Sequence, residues 1–283
     1  MMCAWQAFIN LLPMWMRQQV DSMGKDGLQE LRLRQGMNPE MIRTEGNLTL
    51  YREVSEDDLK FVVNTASRYS PWAAATIGKG YISAPGGHRI GLCGQAVSSM
   101  GVMTGMRDVN SLCIRIARDF PGIAGTANLS GSVLIIGKPG SGKTTMLRDL
   151  IRCRSDRGNG SVAVVDEREE IFPYWNDRVC FPPGRRTDVL RGCGKAQGVN
   201  SVLRCMGPET IAMDEITAAE DCEALLHAGW CGVQLLATAH AGSIADLLNR
   251  PIYRPIVEAK IFEKVIVMGQ DKSWHIERIG HGT

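Results

Sequence analysis

Read for the spacing of its apolar positions, the chain changes character near residue 120. Beyond that point, short apolar runs at residues 132–136, 161–165, 210–213 and 233–238 alternate with helical stretches at 144–154 and 218–227. In these runs apolar residues follow one another instead of falling at every second position, as in strands covered on both faces. The pattern therefore predicts a mostly parallel sheet flanked by helices. Residues 264–268 and 274–279, around Gly269-Gln270-Asp271-Lys272, predict a closing hairpin.

Before residue 120 the pattern is mixed. Residues 47–51 alternate like a short strand, and Ser55 opens a helix with Asp58 as its capping-box partner. Leu59, Val62, Val63 and Ala66 fall on one face of that helix. Residues 81–84 and 88–92 flank Pro85-Gly86-Gly87 as a hairpin would, and residues 111–117 predict a further strand. Residues 25–120 thus read as a small α+β domain. Residues 121–131, small and polar, read as a linker, and 132–283 as a second domain. The first 24 residues form an apolar, helical segment. Gln6, Asn10 and Pro13 interrupt it too often for a membrane span, and Arg17 follows the apolar run instead of preceding it as in a signal peptide. Phe8, Leu12, Trp15 and Met16 lie at helical spacing, with Trp5 nearby. They predict a face packed on its own domain in preference to one that docks on a membrane-bound partner.

Composition narrows the function classes. Of 283 residues, 44% are hydrophobic and 22% charged, enough for a substantial core. Basic and acidic residues nearly balance, 32 against 30, which does not suggest a dedicated nucleic-acid binder. Nine dispersed cysteines with no CxxC pair predict reduced thiols, a cytoplasmic location and no structural zinc.

One motif carries clear chemistry. Gly137-Lys138-Pro139-Gly140-Ser141-Gly142-Lys143-Thr144, followed by Thr145, matches the P-loop pattern G-x-x-x-x-G-K-[ST] between an apolar run and a helix. Glycines let backbone N–H groups turn inward around phosphate oxygens, and the helix start adds partial positive charge. ATP is the expected ligand, with Lys143 on its β- and γ-phosphates and Thr144 on Mg²⁺. The run at 210–213 ends in Asp214-Glu215, where Asp214 would serve the metal and Glu215 would polarise the attacking water. A second run ends in Asp166-Glu167-Arg168-Glu169-Glu170, which makes Glu167 and Glu170 further candidates at the sheet's carboxyl edge. The run at 233–238 leads into His240, whose tip could report the γ-phosphate.

Together these segments resemble the secretion ATPase superfamily, the type II and type IV secretion and pilus-retraction motors, and within it the stage III sporulation AA family of endospore formers. Residues 165–171 resemble that family's acidic box, 184–190 its next signature and 237–240 its histidine box. Residues 31–34, 87–92 and 114–118 resemble its N-terminal domain. The resemblance implies a RecA-like P-loop core and a homo-hexameric ring powered by ATP hydrolysis. It also implies a peripheral role beneath a membrane-embedded, secretion-like channel. Arg115 and Arg118, and Arg185 and Arg186, are its candidates for arginines acting across subunits. Pilus-retraction motors often carry Gly where this chain has Asp214. The readings from other classes are a nucleic-acid translocase or helicase with a related core, and a P-loop small-molecule kinase.

Overall fold

A computed structural model describes residues 2–67, 77–78, 80–125, 129–157, 160–176 and 178–278. Ile279 of the predicted tail strand and residues 126–128 of the predicted linker lie outside them. The chain forms two compact units. The first comprises Met1–Asp119 with Pro173–Cys180, and the second Phe120–Phe172 with Phe181–Thr283.

Among its described residues the first unit has a six-stranded antiparallel sheet, packed with helices. Helices α1 (Trp5–Leu11) and α2 (Met14–Met23) precede β1 (Leu28–Arg34), β2 (Glu40–Arg43), β3 (Leu48–Thr49) and α3 (Glu56–Ser67). Then come β4 (Tyr81–Ser83), β5 (Arg89–Ser99) and β6 (Val102–Arg115), in the sheet order β3-β2-β1-β6-β5-β4. The apolar start is two helices, not one. Pro13, which lacks an N–H, sits at the break and caps α2. Phe8, Leu12 and Met16 are nevertheless all fully buried in the core of this unit, so the face packs at home. The α3 capping box forms as expected: the Ser55 amide donates to Asp58 Oδ2 at 2.9 Å, and the Asp58 amide to Ser55 Oγ at 3.2 Å. Trp15 Nε1 donates to the other Asp58 oxygen at 2.9 Å, which pins α2 to the start of α3. Strand β5 does not stop at residue 92. It runs on to Ser99 and, with β6, forms a long arm beyond the sheet.

The second unit carries a seven-stranded sheet. In chain order its strands are β7 (Val133–Gly137), β8 (Val162–Asp166), β11 (Thr187–Arg191), β12 (Thr210–Met213), β13 (Gln234–Ala239), β14 (Lys264–Met268) and β15 (Trp274–Arg278). The sheet order is β11-β8-β12-β13-β7-β14-β15, parallel throughout except for the closing β14–β15 hairpin. Helices α4 (Lys143–Arg157), α5 (Lys195–Cys205) and α6 (Ala219–Trp230) cover it, followed by the short α7 (Ile244–Asn249) and α8 (Arg254–Glu258). Every residue of β7, β8 and β12 is buried, which is why those runs read as continuously apolar. This is the expected α/β, RecA-like core preceded by a small α+β unit.

Between Phe172 and Phe181, both buried, the chain leaves the second unit and contributes a two-stranded hairpin to the first. Its strands are β9 (Tyr174–Trp175) and β10 (Arg178–Val179). A Cβ on Gly87 would lie 2.9 Å from the Pro173 side chain and 3.3 Å from that of Cys180, so the hairpin seats against the turn before β5.

Candidate functional site

Register alone gathers the candidates at one edge of the second unit's sheet. Strands β12, β13 and β7 are neighbours, with Met213 opposite Ala237 and Ala239 opposite Ile136. One residue further on, Asp214 comes beside Thr238, and His240 beside Gly137, where the glycine-rich loop begins. That loop turns tightly: a Cβ at Gly137 would collide with Ser141 Oγ, and Gly142 holds φ 101°, a conformation open mainly to glycine. The turn of the closing hairpin lies over the loop, Gln270 Nε2 donating to the Pro139 carbonyl at 3.4 Å and Lys272 Nζ to that of Gly140.

Lys143 opens α4 with its ammonium buried. Nζ donates to the carbonyls of Gly137 at 3.0 Å and Lys138 at 3.1 Å, and stands 3.1 Å from His240 Nδ1. Burial pulls its pKa below the usual lysine value, opposed by the carboxylates of Asp214 and Glu215. Thr144 Oγ1 donates to Asp214 Oδ2 at 2.7 Å, and Thr238 Oγ1 to Asp214 Oδ1 at 2.5 Å. A hydroxyl and a carboxylate so placed are hard oxygen donors of the kind Mg²⁺ takes. Ser141 Oγ is buried inside the loop with no hydrogen-bond partner. A tight glycine loop at a helix start, an unpaired buried hydroxyl and a buried ammonium together fit a phosphate group.

Glu215 is held from four directions. Its amide donates to Thr238 Oγ1 at 2.8 Å, and its carbonyl accepts from Lys195 Nζ at 2.6 Å. Its Oε1 lies 2.7 Å from His240 Nε2, and its Oε2 accepts from Arg168 at 3.4 Å. The residue sits at φ 56°, in the left-handed region, a strain of about 1–3 kcal/mol for a non-glycine that the surroundings must overcome. Burial pushes its carboxyl pKa up. The hydrogen bond with His240 and the positive charges of Arg168 and Lys195 outweigh this and leave it below the usual value. His240 therefore joins Lys143 to Glu215 through its two ring nitrogens, a link the sequence did not reveal.

The acidic box divides its labour. Asp166 is buried and shapes the loop after β8, accepting from the amides of Glu170, Ile171 and Phe172 at 2.9, 3.1 and 2.8 Å. Burial pushes its pKa up to about 6 in spite of those three donors. Glu167 and Glu170 line the same small pocket as Asp214, Glu215 and Lys195. The sequence reading passed over Thr238 and Lys195. The first lay inside the histidine box but drew no role, and the second carried no motif at all.

Two of the candidate arginines stand apart. Arg185 and Arg186 precede β11, whose first residue pairs with the first residue of β8, so they lie at the amino edge of the sheet. Their amides are held there by Asp156 and Ser155 near the end of α4. Neither can serve the site of its own chain. In the first unit, Arg115 is exposed and pairs with Glu30 at 3.3 Å. Arg118 is half-buried and donates to the carbonyls of Lys25, at 2.7 Å, and Leu28.

A family model described as "Sporulation stage III, protein AA" matches residues 6–279. Over 256 residues the chain is 36% identical to Stage III sporulation protein AA of Bacillus subtilis, a match spanning 87% of this chain and 83% of that one. Among solved structures, the Legionella pneumophila ATPase DotB is similar, with a TM-score of 0.62 at 19% identity over 94% of this chain and 80% of that one. The pilus retraction motor PilT, solved with bound ADP, is similar with a TM-score of 0.60 at 16% identity, covering 88% and 76%. At such identities these two likenesses speak for the fold.

Proposed function

We propose that this chain, which belongs to the Sporulation stage III, protein AA family, is an ATP-hydrolysing motor that energises a secretion-like membrane assembly during endospore formation. The observation that carries the hydrolytic part is the continuous set of contacts at the sheet edge. Thr144 meets Asp214, Thr238 bridges Asp214 to Glu215, and His240 joins Glu215 to Lys143. In this reading the loop amides and the α4 N-terminus receive the phosphates, and Lys143 exchanges its carbonyl partners for the β- and γ-phosphate oxygens. Thr144 and Asp214 would hold Mg²⁺, which when bound neutralises phosphate charge. Glu215, kept ionised by its cationic neighbours, accepts a proton from the water that attacks the γ-phosphate. The His240 ring fixes where that carboxylate points. It also links the base to the lysine that feels the phosphate, so loss of the γ-phosphate would be felt at Glu215. Glu167 and Glu170, in the same pocket, are secondary candidates for ordering the water.

The wider role rests on family membership. In it the chain acts in the cytoplasm as a homo-hexamer beneath a membrane-embedded channel that recruits it. Among the described residues no helix is long and apolar enough to cross a membrane. Arginines from a neighbouring subunit would complete the site. Arg115 is the leading candidate because it is exposed, whereas Arg118 is engaged with backbone carbonyls.

The test pairs two variants. Lys143→Ala should lose nucleotide binding, while Glu215→Gln should bind ATP normally and lose hydrolysis by a factor of about 10²–10⁴, the span expected for a general base. Phosphate release by Glu215→Gln near the wild-type rate would remove Glu215 from this role and turn attention to Glu167 and Glu170.

A further inference from the structure

Lys195 is an odd residue for its position. It is the first residue of α5, where the helix dipole disfavours a cation, and the N-cap before it, Gly194, offers no side chain. Helix stability does not explain it. Its side chain is nonetheless buried, and a buried ammonium is stable only where partners surround it. Those partners converge from three elements. Nζ donates to the Glu215 carbonyl at 2.6 Å and to Thr217 Oγ1 at 3.1 Å in the loop after β12. It lies 3.8 Å from Asp221 in the first turn of α6, and 3.9 Å from Glu167 in the acidic box after β8.

We propose that Lys195 is the positioning residue of this site: its ammonium holds Glu215 in the left-handed backbone conformation and ties that residue to Glu167. The geometry is specific to this task. With its amide on Thr238 and its carbonyl on Lys195, Glu215 has both flanking peptide groups fixed, and the left-handed turn aims its carboxylate at His240. Without the ammonium, the Glu215 carbonyl has no cation to hold it and the peptide can relax toward an ordinary φ. The carboxylate would then swing off the line on which it meets water. Lys195 touches neither phosphate nor water in this scheme. Its effect is on the orientation of the base and not on nucleotide affinity.

This inference rests on Glu215 being the base, and its test separates the two claims. Full-length Lys195→Met and Lys195→Arg would be compared with Glu215→Gln for steady-state phosphate release, for affinity toward a fluorescent ATP analogue, and for the Glu215 φ angle in crystals. The expected result is a kcat at least tenfold lower in Lys195→Met, with nucleotide Kd within twofold. Lys195→Arg should recover a large part of the rate, and Glu215 should leave the left-handed region in the methionine variant alone. A kcat within twofold of wild type, or kcat and Kd failing together by similar factors, would overturn the proposal. So would an unchanged Glu215 φ in Lys195→Met. Should that variant not fold, Lys195→Gln, which keeps one N–H donor without the charge, is read by the same criteria. An active Glu215→Gln would instead defeat the base assignment, and the φ measurement would still decide what Lys195 does.

Discussion

Replacing Thr238 by valine would take out a single hydroxyl at the centre of the site and leave its shape almost unchanged. That hydroxyl is fully buried and does two things at once: it donates to Asp214 Oδ1 at 2.5 Å and accepts the Glu215 amide at 2.8 Å. A hydrogen bond to a charged group contributes about 1.5–3 kcal/mol. The abandoned Glu215 amide would add about 1–3 kcal/mol if it stays buried and unpaired. Water reaching the half-exposed Glu215 would reduce the second cost, so about 3 kcal/mol is a fair expectation for the pair. For a unit of 150–250 residues, each kcal/mol moves the melting temperature by about 2–4 °C. The transition of the second unit should thus fall by roughly 6–12 °C in a calorimetric scan of Thr238→Val. Hydrolysis should fall as well, since Asp214 and Glu215 both lose a restraint, whereas Thr238→Ser should restore both properties in large part. A melting shift below about 2 °C would show that the hydroxyl does not couple the two carboxylates as the distances suggest.

The remaining predictions concern the first unit. His88 is buried, its Nδ1 accepting the Ala117 amide at 3.1 Å and its Nε2 donating to the Ala4 carbonyl at 3.1 Å, and burial holds its pKa below the ordinary 6.5. The unfolded chain then binds the extra proton first, so this contribution to stability is complete above about pH 6.5 and declines as pH falls toward the depressed folded value. Urea unfolding between pH 7.5 and 5 should show that slope, and His88→Asn should flatten it. Phe8→Ala should lower stability by about 3–5 kcal/mol, the cost of emptying a fully buried aromatic position. Deletion of residues 1–23 should do no less, and a stable, active truncation that no longer sediments with membranes would mean that the face docks elsewhere. Mixing Arg115→Ala chains with Lys143→Ala chains should restore more hydrolysis than either gives alone. Mixed assemblies without recovery would place Arg115 outside the site.

What could be read in the chain was what is encoded locally. The P-loop announces itself by spacing, and the buried strands β7, β8 and β12 by runs with polar residues only at their ends. Strand β1 escaped notice because a register shift between Leu28 and Glu30 disturbs the alternation, so Leu28, Leu31 and Leu33 are buried without keeping a strict period of two. The arm of β5 and β6 has no buried face to imprint a pattern, since residues 95–107 pair chiefly with each other and are largely exposed. Helix α5 contains Gly198 and Asn200, poor helix formers, and a lysine at its unfavourable end. The roles of Thr238 and Lys195 were hidden for a different reason. Each is defined by partners on other strands, helices and loops, 23 to 24 positions away for Thr238 and 20 to 28 for Lys195, and no local spacing reports such meetings.

The hairpin of residues 173–180 has a consequence for how the protein is made. A ribosome releases Asp119 about sixty residues before Cys180, which at roughly 5–20 residues per second is a delay of about 3–12 s. Through that interval the first unit exists without one of its own parts, and the surface around Gly87 waits uncovered. The hairpin can arrive only after β8 and the Asp166 turn have been synthesised, because they lie upstream of it on the same chain. Maturation of the first unit is thus timed by synthesis of the second. A gene fragment ending at Asp119 encodes an incomplete unit. A version meant to fold alone should carry residues 173–180 on a flexible linker, and its gain in protease resistance over the plain fragment would measure what the late hairpin adds.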